Sequence, residues 1–448
     1  MKQAVAVWKT GWRLSSSRII ILGFAAVILL GSLLLMLPFA ARDGRSAAFS
    51  DALFTAVSAV CVTGLVVQDT ASYWSGFGQG VILLLIQIGG MGVVTFAVVC
   101  SSAAGQKISL RQRGIMQEAI SAPQLGGIVR LTGFIITVTA ALELLGAVAL
   151  APVFCGRFGF PRGLWYSLFH SVSAFCNAGF DLMGRGAPFS SLSAFSDHPW
   201  VNLVIMALII LGGIGFMTWD DFRANRLHFR RYRMQTKVVL VTSALLLLIP
   251  AVCFYLFEFA MLEPGERFWG SLFQSVTART AGFNTLDFNL MSESGLGMMI
   301  ILMLVGGSPG STAGGMKVTT LAVMVSTAFA IFHRREETRF FGRRVDEETV
   351  RSAMAILTLY LALFFLGGAL ISRIEDLPLL TCLFESASAV GTVGVTLGIT
   401  PQLGLLSRGI LIFLMYSGRV GALTLVFAAL SGGRAGSARL PKEKLIVG

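Results

Sequence analysis

Long apolar runs alternate with short polar connections along this chain. Runs at 19–37, 81–100, 201–217, 238–257, 354–371 and 409–429 each approach helix-spanning length. A helix needs roughly 20 apolar residues to cross about 30 Å of hydrocarbon. The pattern predicts an all-α polytopic membrane protein.

Between these runs lie shorter segments that resemble one another, at 51–65, 164–180, 268–283 and 380–395. Each carries a Leu-Phe pair, then Ser/Thr and small apolar residues, then a glycine. The phenylalanine and glycine fall at 54 and 64, 169 and 179, 273 and 282, and 384 and 394. Such internal repetition reports repeated structural units. Each segment is too short to span, and irregular backbone at membrane depth survives only inside protein or around a watery cavity. The expected architecture is four pseudo-symmetric helix–pore loop–helix repeats, with eight spans and four re-entrant loops meeting on one axis. The spans fall near 18–38 and 80–101, 127–151 and 200–218, 237–259 and 296–332, and 352–371 and 407–430. The repeats divide as 1–105, 106–222, 223–335 and 336–430, with a tail at 431–448. Ordinary external loops with a chance glycine are the plainer reading; four matched occurrences argue against it.

Composition sharpens this. Of 448 residues, 55% are hydrophobic and 13% charged, against about a quarter charged in soluble domains. The net charge of +12 raises nucleic acid as a partner, but its distribution excludes that reading. Lys and Arg crowd the termini (Lys2, Lys9, Arg13, Arg18; Arg434, Arg439, Lys442, Lys444) and the connections 219–237 and 333–351. The opposite side holds fewer, such as Arg42, Arg157, Arg185 and Arg408. This positive-inside bias places both termini in the cytoplasm. No Ala-x-Ala-like site follows the basic leader, so the first run is expected to remain as a span. The six cysteines are scattered singly, without a disulfide framework or zinc spacing.

Potassium selectivity needs oxygen ligands that replace the hydration shell, and rings of backbone carbonyls supply them. Glycine lets such carbonyls turn inward in a narrow tube. The candidate stretches are Val62-Thr63-Gly64, Asn177-Ala178-Gly179, Thr280-Ala281-Gly282 and Thr392-Val393-Gly394. The last carries Thr-Val-Gly, the core of a potassium-channel filter. Helix C-termini aimed at the axis would add partial negative charge.

A second motif interrupts the apolar run after loop three: Gly306-Gly307-Ser308-Pro309-Gly310-Ser311-Thr312-Ala313-Gly314-Gly315. This density of breakers predicts a flexible loop below the filter rather than close helix packing. Lys317 follows it directly, and Arg419 lies within the last span. Intramembrane charges are costly and mark functional sites. Arg279, beside Thr280, is expected to point away from the ion path, against carbonyls or a carboxylate such as Glu385.

With these residues the chain resembles the Trk/Ktr/HKT superfamily of potassium transporters, most closely its KtrB type of membrane subunit. The resemblance covers nearly the whole length. It implies a single-chain pseudo-tetramer carrying K⁺ through the four glycine stretches. One filter glycine per loop implies K⁺ preference with looser rejection of Na⁺ than in a strict channel. The role of Na⁺, as activator or co-ion, stays open. The resemblance further implies an intramembrane gating loop at 306–315, with Arg419 beside it as a positive barrier. It also implies a homodimer held partly through the tail 439–448, and a cytoplasmic ring of nucleotide-binding (RCK/KtrA-like) subunits docked on the basic face. Lipid headgroups share that face. The chain itself has no phosphate-loop motif.

The competing function is a cation/K⁺ symporter with alternating access, which favours inverted repeats and discontinuous helices. Here the repeats run parallel, and the only strong break is expected after loop three. An enzyme is disfavoured: the histidines at 170, 198, 228 and 333 form no metal pattern, and no carboxylate pair sits in a span.

Overall fold

The computed structural model describes residues 15–96, 109–120, 126–421 and 424–426. The basic leader residues Lys2, Lys9 and Arg13, together with Lys107 and the tail 431–448, lie outside the described residues. One order of elements recurs four times: a long helix, a short buried helix, then an interrupted helix. The first occurrence is α1 (Ser16–Leu35), α2 (Phe49–Val60) and α3 (Gly76–Met91). A connecting helix, α4 (Leu110–Ile120), leads to α5 (Ile128–Phe158), α6 (Phe160–Phe175), α7 (Pro199–Gly213) and α8 (Phe216–Asn225). The third comprises α9 (Met234–Cys253), α10 (Pro264–Thr277), α11 (Glu293–Leu304) and α12 (Val318–Phe332). A hairpin, β1 (Arg339–Phe340) with β2 (Arg343–Arg344), precedes α13 (Glu347–Glu375), α14 (Leu379–Val390) and α15 (Leu405–Val420).

Among the described residues, four helices suit a membrane crossing by length and composition: α1, α5, α9 continued by a π turn to Glu258, and α13. A fifth is added if α7 and α8, bent by 93°, count as one span. Their outward faces carry exposed Leu29, Leu33, Leu144, Leu145, Leu248, Ile249, Phe365 and Leu366. So large an apolar surface is at home in hydrocarbon, not water.

The short helices α2, α6, α10 and α14 lie inside. The phenylalanine of the repeated motif in each, Phe54, Phe169, Phe273 or Phe384, is completely buried. Pro161 and Pro264 open α6 and α10, where a missing N–H costs nothing.

The third helical piece is broken in every occurrence, which corrects the expectation of a single break. α3 stops at Gly92 (φ 85°), α7 at Gly215 (φ 90°) and α15 at Gly421 (φ 93°). Between α11 and α12 lies the irregular stretch 305–317. A left-handed residue cannot continue a right-handed helix, and glycine occupies that region without a Cβ clash. The spans expected at 80–101, 200–218 and 407–430 are therefore not continuous helices, while the break expected within 296–332 is present.

The fourth unit closes back on the first. Arg408 Nη1 pairs with Asp51 Oδ1 at 2.9 Å, and Gln68 Nε2 donates to the other Asp51 oxygen at 2.8 Å. The Tyr416 hydroxyl donates to Ile21 O at 2.7 Å. On the basic connection, Phe341 and Gly342 both adopt positive φ, as a two-residue hairpin turn requires. Glu337 accepts from Arg339 at 3.1 Å and Arg344 at 3.3 Å, offsetting the arginines paired across the strands.

Candidate functional site

The chain leaving each short helix does not turn outward. It runs on as an extended stretch in which φ alternates in sign. Val62 (50°) and Gly64 (95°), Asn177 (56°) and Gly179 (69°), Thr280 (69°) and Gly282 (87°), and Thr392 (52°) and Gly394 (95°) are positive. Thr63, Ala178, Ala281 and Val393, between them, are not. Alternating handedness turns successive carbonyls to one side of the strand, as an ordinary strand does not. Non-glycine residues at positive φ are strained and persist only where their surroundings over-determine them.

Those surroundings are hydrogen bonds to the preceding helix. The N–H groups of Thr63, Ala178 and Val393 donate to Ser58 O, Ser173 O and Ser388 O, each at 2.8 Å. Ala281 N–H donates to Thr277 O at 3.0 Å. The next N–H, of Gly64 or Gly394, donates to the Ser58 or Ser388 hydroxyl at 3.0 Å. With the donors held by their own helix, the carbonyls are left to face the other way.

They face one another. A Cβ on Gly64 would stand 2.7 Å from Ala178 O, and one on Gly179 would stand 2.8 Å from Ala281 O. One on Gly282 would stand 2.6 Å from Val393 O, and one on Gly394 2.0 Å from Thr63 O. The contacts run 64 to 179 to 282 to 394 and back to 64, a closed ring. All twelve residues expected at the filter are thus brought together, and the non-glycine ones are buried. With its amide oriented to satisfy both ends, Asn177 accepts from the Thr280 hydroxyl at 3.2 Å. It then donates to Ala174 O at 3.1 Å and Ile209 O at 3.2 Å. The buried hydroxyls of Thr63 and Thr392 have no partner among the described residues.

The 306–315 loop lies against this ring. Its neck is closed by Gly306 N–H to Met316 O at 2.8 Å and Val318 N–H to Gly307 O at 3.0 Å. Its body crosses to the second and fourth units. Ser308 N–H donates to Gly213 O at 2.9 Å, and Gly315 N–H to Gly418 O at 3.2 Å. The Thr312 hydroxyl donates to Phe175 O, at the end of α6, at 3.0 Å. A Cβ on Gly314 would stand 2.1 Å from the Thr392 hydroxyl oxygen, so the loop touches the ring directly.

Three cations fasten this region. Arg419 donates to Thr312 O in the loop and to Gly89 O and Gly90 O (3.1 Å) at the end of α3. Lys317 Nζ donates to Ala313 O at 2.8 Å and Gly314 O at 3.4 Å. Arg279 donates to Ser243 Oγ at 3.2 Å and Gly306 O at 3.4 Å. All bind carbonyls or hydroxyls. The suggested Arg279–Glu385 pair is not formed: Glu385 instead accepts from Thr400 Oγ1 at 2.9 Å, Leu397 N–H at 3.3 Å and the Thr396 hydroxyl. A cavity of about 210 Å³ flanks the loop, lined by Phe24, Val93, Ser311, Lys317, Arg419 and Gly421.

Sequence reasoning missed the shared break, although a signal existed. Gly89-x-x-Gly92, Gly212-x-x-Gly215 and Gly418-x-x-Gly421 repeat one pattern. Arg419 occupies the place that glycine holds as Gly90 and Gly213.

Comparison with known proteins gives a consistent picture. The profile of the family described as "TrkH: Cation transport protein" matches residues 13–432. The chain is 39% identical to the potassium/sodium uptake protein NtpJ of Enterococcus hirae, covering 97% of this chain and 98% of that one. It is also 39% identical to Ktr system potassium uptake protein B of Bacillus subtilis, over 93% of each. Among solved structures, the potassium transporter TrkH of Vibrio parahaemolyticus shares the fold at a TM-score of 0.73. There the identity is 20%, covering 93% of this chain and 86% of that one.

Proposed function

We propose that this chain, which belongs to the TrkH family of cation transport proteins, takes up K⁺ through the carbonyl ring at Gly64, Gly179, Gly282 and Gly394. The single observation that carries this reading is the closed circuit of glycine-to-carbonyl contacts. Oxygens so arranged replace the water around a monovalent cation without a formal charge to trap it. The potassium uptake named for both 39%-identical relatives supports the choice of ion. The helices α2, α6, α10 and α14 end at the ring, and their C-terminal dipoles favour a cation there. One glycine per strand gives fewer well-formed sites than a strict channel filter, so Na⁺ is rejected less completely. Na⁺ acts as a co-ion or an activator.

Below the ring, the 306–315 loop and Arg419 form the gate in this reading. In the closed state the loop blocks the axis and the guanidinium adds a positive barrier. Opening requires release of the bonds to Thr312, Gly89 and Gly90. The whole chain forms eight spans in the bacterial plasma membrane, with both termini cytoplasmic and unit boundaries at 105, 222, 335 and 430. It pairs as a homodimer and docks a nucleotide-binding ring on the basic connections 219–237 and 333–351.

Alternating access is the second reading, and the broken helices in all four units favour it, since transporters bind ions at such breaks. Against it, the units repeat in parallel rather than inverted order. Uptake of ⁸⁶Rb⁺ by purified protein in liposomes tests the proposal, with external K⁺ or Na⁺ as competitor. K⁺ should compete much better than Na⁺. Equal competition by the two ions contradicts the K⁺ filter.

A further inference from the structure

Behind the ring stands a second set of polar groups that conduction does not itself use. The residue after the motif phenylalanine (Phe54, Phe169, Phe273 or Phe384) is Thr55, His170, Gln274 or Glu385, and all four are buried. In three units this side chain reaches the returning chain 12 residues later. His170 Nε2 accepts the Leu182 N–H at 3.3 Å, while its Nδ1 donates to Tyr166 O at 2.7 Å. Gln274 Nε2 donates to Leu286 O at 3.5 Å. Glu385 accepts the Leu397 N–H at 3.3 Å and is held as well by the hydroxyls of Thr396 and Thr400. Each bond closes a loop of chain with a ring glycine inside it: Gly179, Gly282 or Gly394. At the same place in the first unit Thr55 is too short to cross, and its hydroxyl has no partner among the described residues.

We propose that His170, Gln274 and Glu385 are positioning residues that set the width of the carbonyl ring and so its preference for K⁺ over Na⁺. This rests on the K⁺ reading given above. A ring free to contract follows the smaller Na⁺ inward and loses discrimination. The strands are held in a strained, alternating conformation, which relaxes unless other bonds oppose it. The helix-side serines and threonines pin the start of each strand; these ties pin its far end. Their strength is unequal. Glu385 gathers three donors, His170 one, and Gln274 a single long bond with its Oε1 unpartnered among the described residues. The fourth unit is therefore the stiffest wall and the first the softest, so substitutions at Glu385 cost the most selectivity.

The experiment compares wild type, Glu385→Ala, Glu385→Gln and Thr400→Val in the same liposomes, reading K⁺ against Na⁺ competition for ⁸⁶Rb⁺ uptake. Glutamine preserves the acceptor for Leu397 and donates to Thr400, so Glu385→Gln should keep the wild-type ratio. Glu385→Ala removes all three bonds and should reduce the K⁺/Na⁺ preference by more than about fivefold, which is the worth of one buried hydrogen bond alone. Thr400→Val removes one donor without creating a cavity and should give a smaller fall in the same direction. It stands in if the alanine variant does not fold. A wild-type ratio in Glu385→Ala, or in Thr400→Val in its place, overturns the proposal whatever the uptake rate. Wild-type liposomes without Rb⁺ uptake overturn the K⁺ reading itself.

Discussion

At Gly394 a β-carbon would stand 2.0 Å from the Thr63 carbonyl oxygen, and φ is 95°. Both facts exclude an alanine there without movement of the neighbouring strand. At Gly409, on the face of α15, a β-carbon would meet nothing within 4 Å. The same substitution should therefore act oppositely at the two positions. Gly409→Ala should raise the melting temperature, because alanine in an exposed helix is better than glycine by about 1 kcal/mol. Gly394→Ala should abolish K⁺ preference and lower the melting temperature, which thermal unfolding in detergent and liposome competition would read together. The ring residues were legible in the sequence because one pattern, phenylalanine to glycine at near-constant spacing, occurs four times. The pairing of Arg279 was not legible. It binds Ser243 and Gly306, far apart in sequence, and only the folded chain says which of several acceptors lies in reach.

Among the elements, the 306–315 loop bonds to both the second and the fourth unit. It is fastened to α6 through Phe175, to the end of α7 through Gly212 and Gly213, and to α15 through Gly418. Arg419 adds the link to α3. Removing the guanidinium deletes several charge-assisted bonds, each worth about 1.5–3 kcal/mol. Arg419→Ala should thus raise basal ⁸⁶Rb⁺ flux about tenfold or more. Unchanged flux in well-folded protein would show that the arginine only braces the structure. This loop could be read from the sequence because it concentrates glycine, serine and proline. The breaks after α3, α7 and α15 could not be read as easily. Each rests on a single left-handed glycine at the end of an otherwise regular apolar helix, and hydropathy is blind to the sign of φ.

For the whole molecule, four units arranged around one axis give a membrane protein whose centre is more polar than its exterior. The outer face is rich in leucine and phenylalanine, while the centre holds backbone oxygen, hydroxyls and three cations bound to carbonyls. The last unit meets the first through the Arg408–Asp51 pair, the Tyr416 hydroxyl on Ile21 O, and Gly394 against Thr63 O. Family membership and the shared fold place this architecture among cation transport proteins. The proposed dimer and regulatory ring would act on it from the basic face, through the loop rather than through the ring of carbonyls. The most direct measurement is an experimental structure in Tl⁺, a heavy K⁺ mimic, with anomalous scattering recorded at the ring. Tl⁺ peaks are expected on the axis between the Thr63, Ala178, Ala281 and Val393 carbonyls, weakened when K⁺ is added. Tl⁺ bound only elsewhere, with that axis empty at saturating Tl⁺, would contradict the K⁺ filter.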